Sequence, residues 1–308
     1  MPVSTSASAA PAPATALPPL PCYLNGEFTT LDQARISVMD RGFIFGDGVY
    51  EVIPVYGGRP FRFAEHMARL ERSLAELRVP NPMSREQWLA LALQLLAQHA
   101  AQNADPAAHR TQLVYIQVTR GVALREHHMV EGLAPTVFVL ANGMKLPGAA
   151  AREQGVACIT ADDFRWQKAH LKSTSLLGAV FARQMSVDAG ATETLMFRDG
   201  WLSEASSSNV WVVKQGRVLG VPKDNLVLEG VRYGLLETLC REAGIPFELR
   251  RIARDEVFGA DELLISSATK ELVPVVRLDD RAIGNGAPGP IFKTLHAAYQ
   301  RAIAALAA

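Results

Sequence analysis

Lys172 is the side chain in this sequence best placed to act as a nucleophile. It opens the stretch H-L-K-S-T-S-L-L-G-A-V-F, in which three small hydroxyl residues (Ser173, Thr174, Ser175) lead into Leu176, Leu177, Ala179, Val180 and Phe181. Only seven of the 31 basic residues are lysines, and most of the others sit in polar company such as K-Q-G and P-K-D. Withdrawal from water disfavours the charged form of an amine, and a neutral amine attacks an aldehyde. A lysine that enters a helix and snorkels to solvent has the same local sequence, so this segment alone leaves both readings open.

A second segment begins 20 residues downstream, T-E-T-L-M-F-R-D-G-W-L-S-E-A-S-S-S-N-V-W-V-V, and places Glu204 32 residues from Lys172. It reads as a hairpin, then an acidic residue, Glu204, three serines, and an Asn that re-enters a strand. Alone, Glu204 would be a solvated hairpin-end residue. Together the two segments resemble the class-IV (fold type IV) pyridoxal-phosphate aminotransferases, most of all the D-amino acid transaminases. The resemblance covers roughly residues 22–300.

The resemblance implies a role for each matching residue. Lys172 would be the Schiff-base lysine that holds pyridoxal 5'-phosphate and later carries the substrate proton. Glu204 would pair with the pyridine nitrogen and keep it protonated, so that the ring withdraws electrons. Arg69, in E-H-M-A-R-L, falls where the family places a phosphate-binding arginine, whose planar guanidinium suits phosphate oxygens. The segment L-E-G-V-R-Y-G resembles a glycine turn opening a helix whose first amides face the phosphate. Val231 and Arg232 would supply those amides, although Arg232 stands where a Thr is usual and Tyr233 where an Arg is usual. Leu228 would pack on the ring face. The segment I-S-S-A-T-K-E would add Ser267 and the Ala268 amide, Ala268 replacing a common Thr.

Substrate class turns on Y-I-Q-V-T-R-G-V-A-L-R-E-H. Its R-x-H pair, Arg125 and His127, resembles the carboxylate-binding pair of D-amino acid transaminases, with Tyr50 as third member. The loop carrying the pair is expected to reach across a homodimer interface. The implied reaction is D-amino acid plus 2-oxoglutarate giving 2-oxo acid plus D-glutamate. Rivals are a branched-chain L-amino acid aminotransferase, an (R)-amine transaminase and a 4-amino-4-deoxychorismate lyase. A degenerate cofactor-binding module without turnover is the non-enzymatic rival.

These residues must be positioned by a chain of 308 residues, long enough for two domains. The expected fold class is α/β (α+β): a small N-terminal domain at 22–141, a linker at 142–147 (N-G-M-K-L-P) and a larger cofactor-binding domain at 148–308. Asn25-Gly26 and Asp199-Gly200 are hairpin turns. The passage 41–60 reads as strand–turn–strand. Met67, Leu70, Leu74 and Leu77 recur at helical spacing, and Ser84 with Gln87 forms a capping-box pattern ahead of a second helix. Residues 111–119, 135–141, 155–161, 193–198, 209–213, 246–252 and 262–266 read as strands. Helices are expected from Lys172 onward, at 231–243 and from about 290. The Ala/Pro-rich stretch 1–21 cannot bury enough apolar surface to order itself, and it lacks the basic and apolar regions of a signal peptide.

Composition narrows the partners. With 49% hydrophobic and 20% charged residues and zero formal net charge, nothing pulls the chain toward nucleic acid or an acidic membrane. No apolar run approaches a membrane helix, and no Cys/His cluster has metal-ligand spacing. Three scattered cysteines fit reduced thiols and a cytoplasmic location. The expected partners are small amino and 2-oxo acids.

Overall fold

The computed structural model describes residues 17–103 and 110–306, which fold around two β-sheets. Most of the stretch expected to stay unordered, residues 1–16, lies outside the described residues. The first sheet is built from β1 (Pro21–Leu24), β2 (Glu27–Thr30), β3 (Gly48–Tyr56), β4 (Arg59–Pro60), β5 (Thr111–Thr119) and β6 (Thr136–Gly143). All its pairings are antiparallel, in the order β2-β1-β6-β5-β3-β4. Asn25 and Gly26, at φ 49° and 103°, make the two-residue turn between β1 and β2.

Alternation along β5 buries Val114, Ile116 and Val118 completely on one face. That face is covered by α2 (Phe63–Glu76) and α3 (Arg85–Gln102). The helical spacing read in the sequence is the buried stripe of α2, with Met67, Leu70 and Leu74 at most 1% exposed. Ser84 and Gln87 cap α3 reciprocally: the Ser84 hydroxyl accepts the Gln87 amide at 3.3 Å, and the Gln87 side chain accepts the Ser84 amide at 2.8 Å. The opposite face of the sheet carries Tyr50 and Tyr115, with ring centroids 5.9 Å apart.

The second sheet is mixed. It contains β7 (Val156–Asp162), β8 (Glu193–Arg198), β9 (Trp201–Ala205), β10 (Asn209–Lys214), β11 (Arg217–Gly220), β12 (Phe247–Leu249), β13 (Glu262–Ser267), β14 (Glu271–Leu278) and β15 (Arg281–Ala282). Its order is β12-β11-β10-β13-β14-β7-β8-β9, with β15 also on β14. The β14–β7 and β7–β8 pairs are parallel, and the crossover between β7 and β8 contains α5 (Leu177–Asp188); the short helices α4 (Ala149–Glu153) and α7 (Arg254–Phe258) precede β7 and β13. Helices α6 (Arg232–Glu242) and α8 (Pro290–Ala304) pack on one another, and their Leu235, Leu239, Phe292, Leu295 and Tyr299 join its core. Tyr56 and Phe61 from the first sheet enter the same core, and the Tyr56 hydroxyl donates to Glu271 at 2.9 Å.

Three expectations change. Residues 41–45 form a short helix, α1 (Arg41–Phe45), and not a strand, because Asp40 caps the Gly42 amide at 2.8 Å and Gly46 closes the turn at φ 64°. Lys172 lies in an extended segment instead of a helix. The Tyr50 amide donates to the Lys172 carbonyl and the Thr174 amide to the Gly48 carbonyl, both at 2.9 Å, so this segment bridges β3 and α5 starts only at Leu177. The linker's first two residues, Asn142 and Gly143, are still paired with β5. Among the described residues no helix is long and apolar enough to cross a membrane.

Candidate active site

A cavity of about 410 Å³ opens between β3 and α2 on one side and the loops after β9, β13 and Val227 on the other. Of the eleven site residues expected from sequence, nine line it: Lys172, Arg69, Glu204, Leu228, Val231, Arg232, Ser267, Ala268 and Tyr50. Lys172 is half-buried, and its Nζ sits 4.1 Å from the centroid of the Tyr50 ring. The backbone pairing of its segment with β3 is what carries this amine to the cavity.

Glu204 lies at the end of β9, 5% exposed. Its Oε1 accepts from Nη1 of Arg165. Its Oε2 accepts from Asn209 Nδ2 at 3.2 Å and from the Leu228 amide at 3.3 Å. Burial pushes its carboxyl up to about 7, against the pull of Arg165. The rest of the Arg165 fork is spent on Asp163, at 2.9 Å and 3.0 Å. A buried carboxylate poised near neutrality, with its orientation fixed by three donors, is suited to hold a proton on a basic nitrogen.

The other end gathers Arg69, His66 and the start of α6. Arg69 does not present its fork to the cavity: Nε and Nη2 bind the two oxygens of Glu51 at 2.7 and 2.8 Å, and Nη1 reaches the Glu229 carbonyl at 3.1 Å. Glu51 also meets His66 Nδ1 at 2.7 Å. Burial works against the Glu51 charge, but Arg69 and then His66 hold its carboxyl well below the usual range. Facing this triad is the start of α6, whose first amides lack intrahelical acceptors. A Cβ on Gly230 would come within 2.0 Å of Asn209 Oδ1, so only glycine lets the loop approach this closely. The Arg232 side chain turns inward, with Nε on the Tyr299 hydroxyl at 3.0 Å and Nη2 on the Ala268 carbonyl at 3.1 Å. Ser267 Oγ accepts the Lys270 amide at 3.1 Å.

Behind this wall, fully buried Glu193 accepts from the hydroxyls of Ser206, Ser207 and Ser208 and from Lys270 Nζ at 2.7 Å. Burial opposes its charge, yet Lys270 and the hydroxyls hold its carboxyl below the usual range. The three-serine run is thereby anchored to β8.

Arg125 and His127 are not brought into the cavity of their own chain. Both are exposed and pack on the Phe45 ring, Arg125 Cζ at 5.4 Å from its centroid and the His127 ring at 5.6 Å.

The Amino-transferase class IV family profile matches residues 48–278. This chain belongs to the class-IV aminotransferases. They are pyridoxal-phosphate enzymes that act on small amino and 2-oxo acids. It is 37% identical to a D-alanine aminotransferase of Bacillus licheniformis over 91% of this chain and 95% of that one. It is 33% identical to a D-alanine aminotransferase of Staphylococcus aureus (strain MSSA476), over 91% and 97%. Among solved structures, a branched-chain aminotransferase of the thermophilic archaeon Thermoproteus uzoniensis with norvaline superposes with a TM-score of 0.80 at 22% identity, covering 92% of this chain and 95% of that one. A fold IV-transaminase of Curtobacterium pusillum, CpuTA1, superposes at 0.77 with 26% identity, covering 90% and 93%.

Sequence reasoning missed Glu51, His66 and Arg165. Glu51 carried a usable signal: it is a lone acid in the otherwise apolar V-Y-E-V-I-P-V, and a buried acid there needs partners. His66 and Arg69, three apart on one helix, supply them. Arg165, in D-D-F-R-W-Q, carries no such signal, since its partner Glu204 lies 39 residues away.

Proposed function

We propose that this cavity holds pyridoxal 5'-phosphate and that the chain is a D-amino acid transaminase, converting a D-amino acid and 2-oxoglutarate to a 2-oxo acid and D-glutamate. The observation that carries the reading is the meeting of Lys172, Glu204 and the Gly230–Arg232 turn in one cavity whose chemistry changes from end to end. The residues fit the cofactor. Glu204 would hold the ring nitrogen, Leu228 the ring face, and the amides of Val231, Arg232 and Ala268 with Ser267 and Arg69 the phosphate. His66, whose buried Nε2 has no partner, lines the same cavity beside Arg69 and would adjoin the phosphate. When bound, the cofactor supplies an electron sink and carries the amino group from donor to acceptor. Lys172 Nζ takes the proton from the substrate Cα and returns it to complete the half-reaction. Glu204 keeps its partner nitrogen protonated throughout.

Tyr50, Arg125 and His127 would bind the substrate α-carboxylate, the last two from the neighbouring chain of a homodimer. Support comes from the D-alanine aminotransferase relatives and from the exposure of both side chains beside a broad apolar surface containing Phe43, Leu177, Val180 and Phe181. In this reading the domains are 22–141 and 148–308, joined through 142–147, whose first two residues extend β6, and the enzyme works in the cytoplasm. The test is a donor panel of D-Ala, D-Glu, L-Leu and (R)-1-phenylethylamine with wild type and Arg125→Ala. Losing a charge-assisted partner for a carboxylate costs about 2–4 kcal/mol, roughly thirty- to a thousand-fold in kcat/KM. The loss should fall on D-Ala and D-Glu and spare (R)-1-phenylethylamine. Equal losses on both classes, or a wild-type preference for L-Leu, would defeat the assignment.

A further inference from the structure

We propose that His66 is a direct phosphate ligand of this cavity and that seating a phosphorylated molecule there brings one proton onto its Nε2. The inference rests on the cofactor reading above. It begins from an imbalance in the buried triad. Arg69 and Glu51 neutralise one another through two hydrogen bonds, so the pair offers a phosphate dianion little net positive charge. His66 is fully buried, lines the cavity and hydrogen-bonds Glu51 through Nδ1, while its Nε2 has no partner.

The two nitrogens are linked by tautomerism. Because Glu51 is held ionised, Nδ1 must carry the proton and donate it, which leaves Nε2 of a neutral ring as an acceptor only. An acceptor facing phosphate oxygens repels them. Adding a proton converts the ring into a double donor, to Glu51 at one end and to phosphate at the other. Every charged group packed around the ring is on hand: Glu51 from β3 favours the proton, while Arg69 from the ring's own helix and Arg232 from α6 oppose it. With burial added, the balance keeps the ring neutral down to about 4 before anything binds. A dianion beside Nε2 reverses that balance, since an opposite charge within a few ångströms favours the protonated form.

The experiment is calorimetric titration of the full-length apoprotein with pyridoxamine 5'-phosphate at pH 7.5, in two buffers of different ionisation heat, for wild type and His66→Asn. Asn keeps a donor to Glu51 where Nδ1 stands, and the shared ligand cancels its own protons from the comparison. Wild type should take up close to one proton more than the variant and bind about 10- to 100-fold more tightly. Above about pH 7, where the phosphate is already dianionic, wild-type affinity should fall more steeply with pH than the variant's. Nitrogen NMR of histidine-labelled wild type supplies a readout that needs no variant: one histidine should change from a neutral tautomer to imidazolium on binding. Tight binding with equal proton counts, or no histidine changing state, overturns the proposal and leaves the cofactor assignment standing. Failure of wild type to bind pyridoxamine 5'-phosphate at all overturns both.

Discussion

Replacing Arg165 with Gln should move the pH dependence of catalysis without touching the substrate. Arg165 contributes a charged donor to Glu204 Oε1, and its removal leaves the buried carboxylate of Asp163 nearby with the residue-165 backbone amide at 3.1 Å and Arg198 at 3.3 Å as its partners. A buried charge-assisted hydrogen bond is worth about 1.5–3 kcal/mol, which is roughly a ten- to hundred-fold change in proton affinity. The Glu204 carboxyl, now at about 7, would therefore rise to roughly 8–9. At pH 7.5 its ionised share would drop from roughly three-quarters to between roughly a quarter and a few per cent. Those shares are the free carboxyl's; a protonated ring nitrogen pulls Glu204 down in both proteins and leaves the variant's titration about one to two pH units above the wild type's. The assay is a pH profile of the single-turnover rate with D-Ala from pH 6.5 to 9.5. As pH falls, the rate of Arg165→Gln should begin to drop about one to two pH units earlier than the wild type's, and the two should converge at the alkaline end. Matching profiles, or a loss that does not recover with pH, would refute the claim that Arg165 sets the ionisation of Glu204.

Borohydride reduction of the yellow wild type followed by peptide mapping should place the cofactor on Lys172; Lys168 is exposed and tied to Glu76 at 3.1 Å, outside the cavity. Glu204→Gln should keep the colour yet slow proton removal from the donor, since a neutral amide cannot hold the ring proton by charge; unchanged single-turnover rates would remove Glu204 from the mechanism. Glu51→Gln strands Arg69 in the interior and should cost about 3–5 kcal/mol in urea denaturation. The sign with pH follows from the direction of its shift. Glu51 is held low in the folded chain, so its stabilisation is present above the unfolded carboxylate pKa and fades as pH falls through the folded value. The gap between wild type and Glu51→Gln should therefore be full at pH 7 and narrow in acid.

What the sequence made legible were features whose partners lie close along the chain. The stripe of α2, the capping box of α3 and the strand Thr111–Thr119 depend on periodicity or on residues three apart, and all appear where expected. Lys172 was legible as a chemical group and illegible as a conformation. Its extended backbone is fixed by hydrogen bonds to Gly48 and Tyr50, more than 120 residues earlier, and no local propensity encodes them. The strand Glu271–Leu278 was missed for a similar reason: Pro274 argues against a central strand, yet β14 lies between β13 and β7. Arg69 illustrates a subtler limit. The motif singled out Arg69, which does line the cavity, but the direction of its fork depends on Glu51 in a different element.

Two buried carboxylates, Glu204 in the cavity wall and Glu51 behind it, each stand against an arginine, and they are driven in opposite directions. Glu51 receives Nε and Nη2 of Arg69 plus a histidine, and these outweigh the cost of burying its charge. Glu204 receives one nitrogen of Arg165, whose other two bind Asp163, and Asp163 itself opposes a second negative charge nearby. Burial therefore prevails at Glu204 and not at Glu51. The difference matches the roles proposed for the two ends. A carboxylate that only orients an arginine and a histidine works best as a permanent charge. One that would share a proton with a ring nitrogen, as proposed for Glu204, works best when its own affinity for protons is close to that of its partner, because the proton would then stay between them as charge develops on the ring.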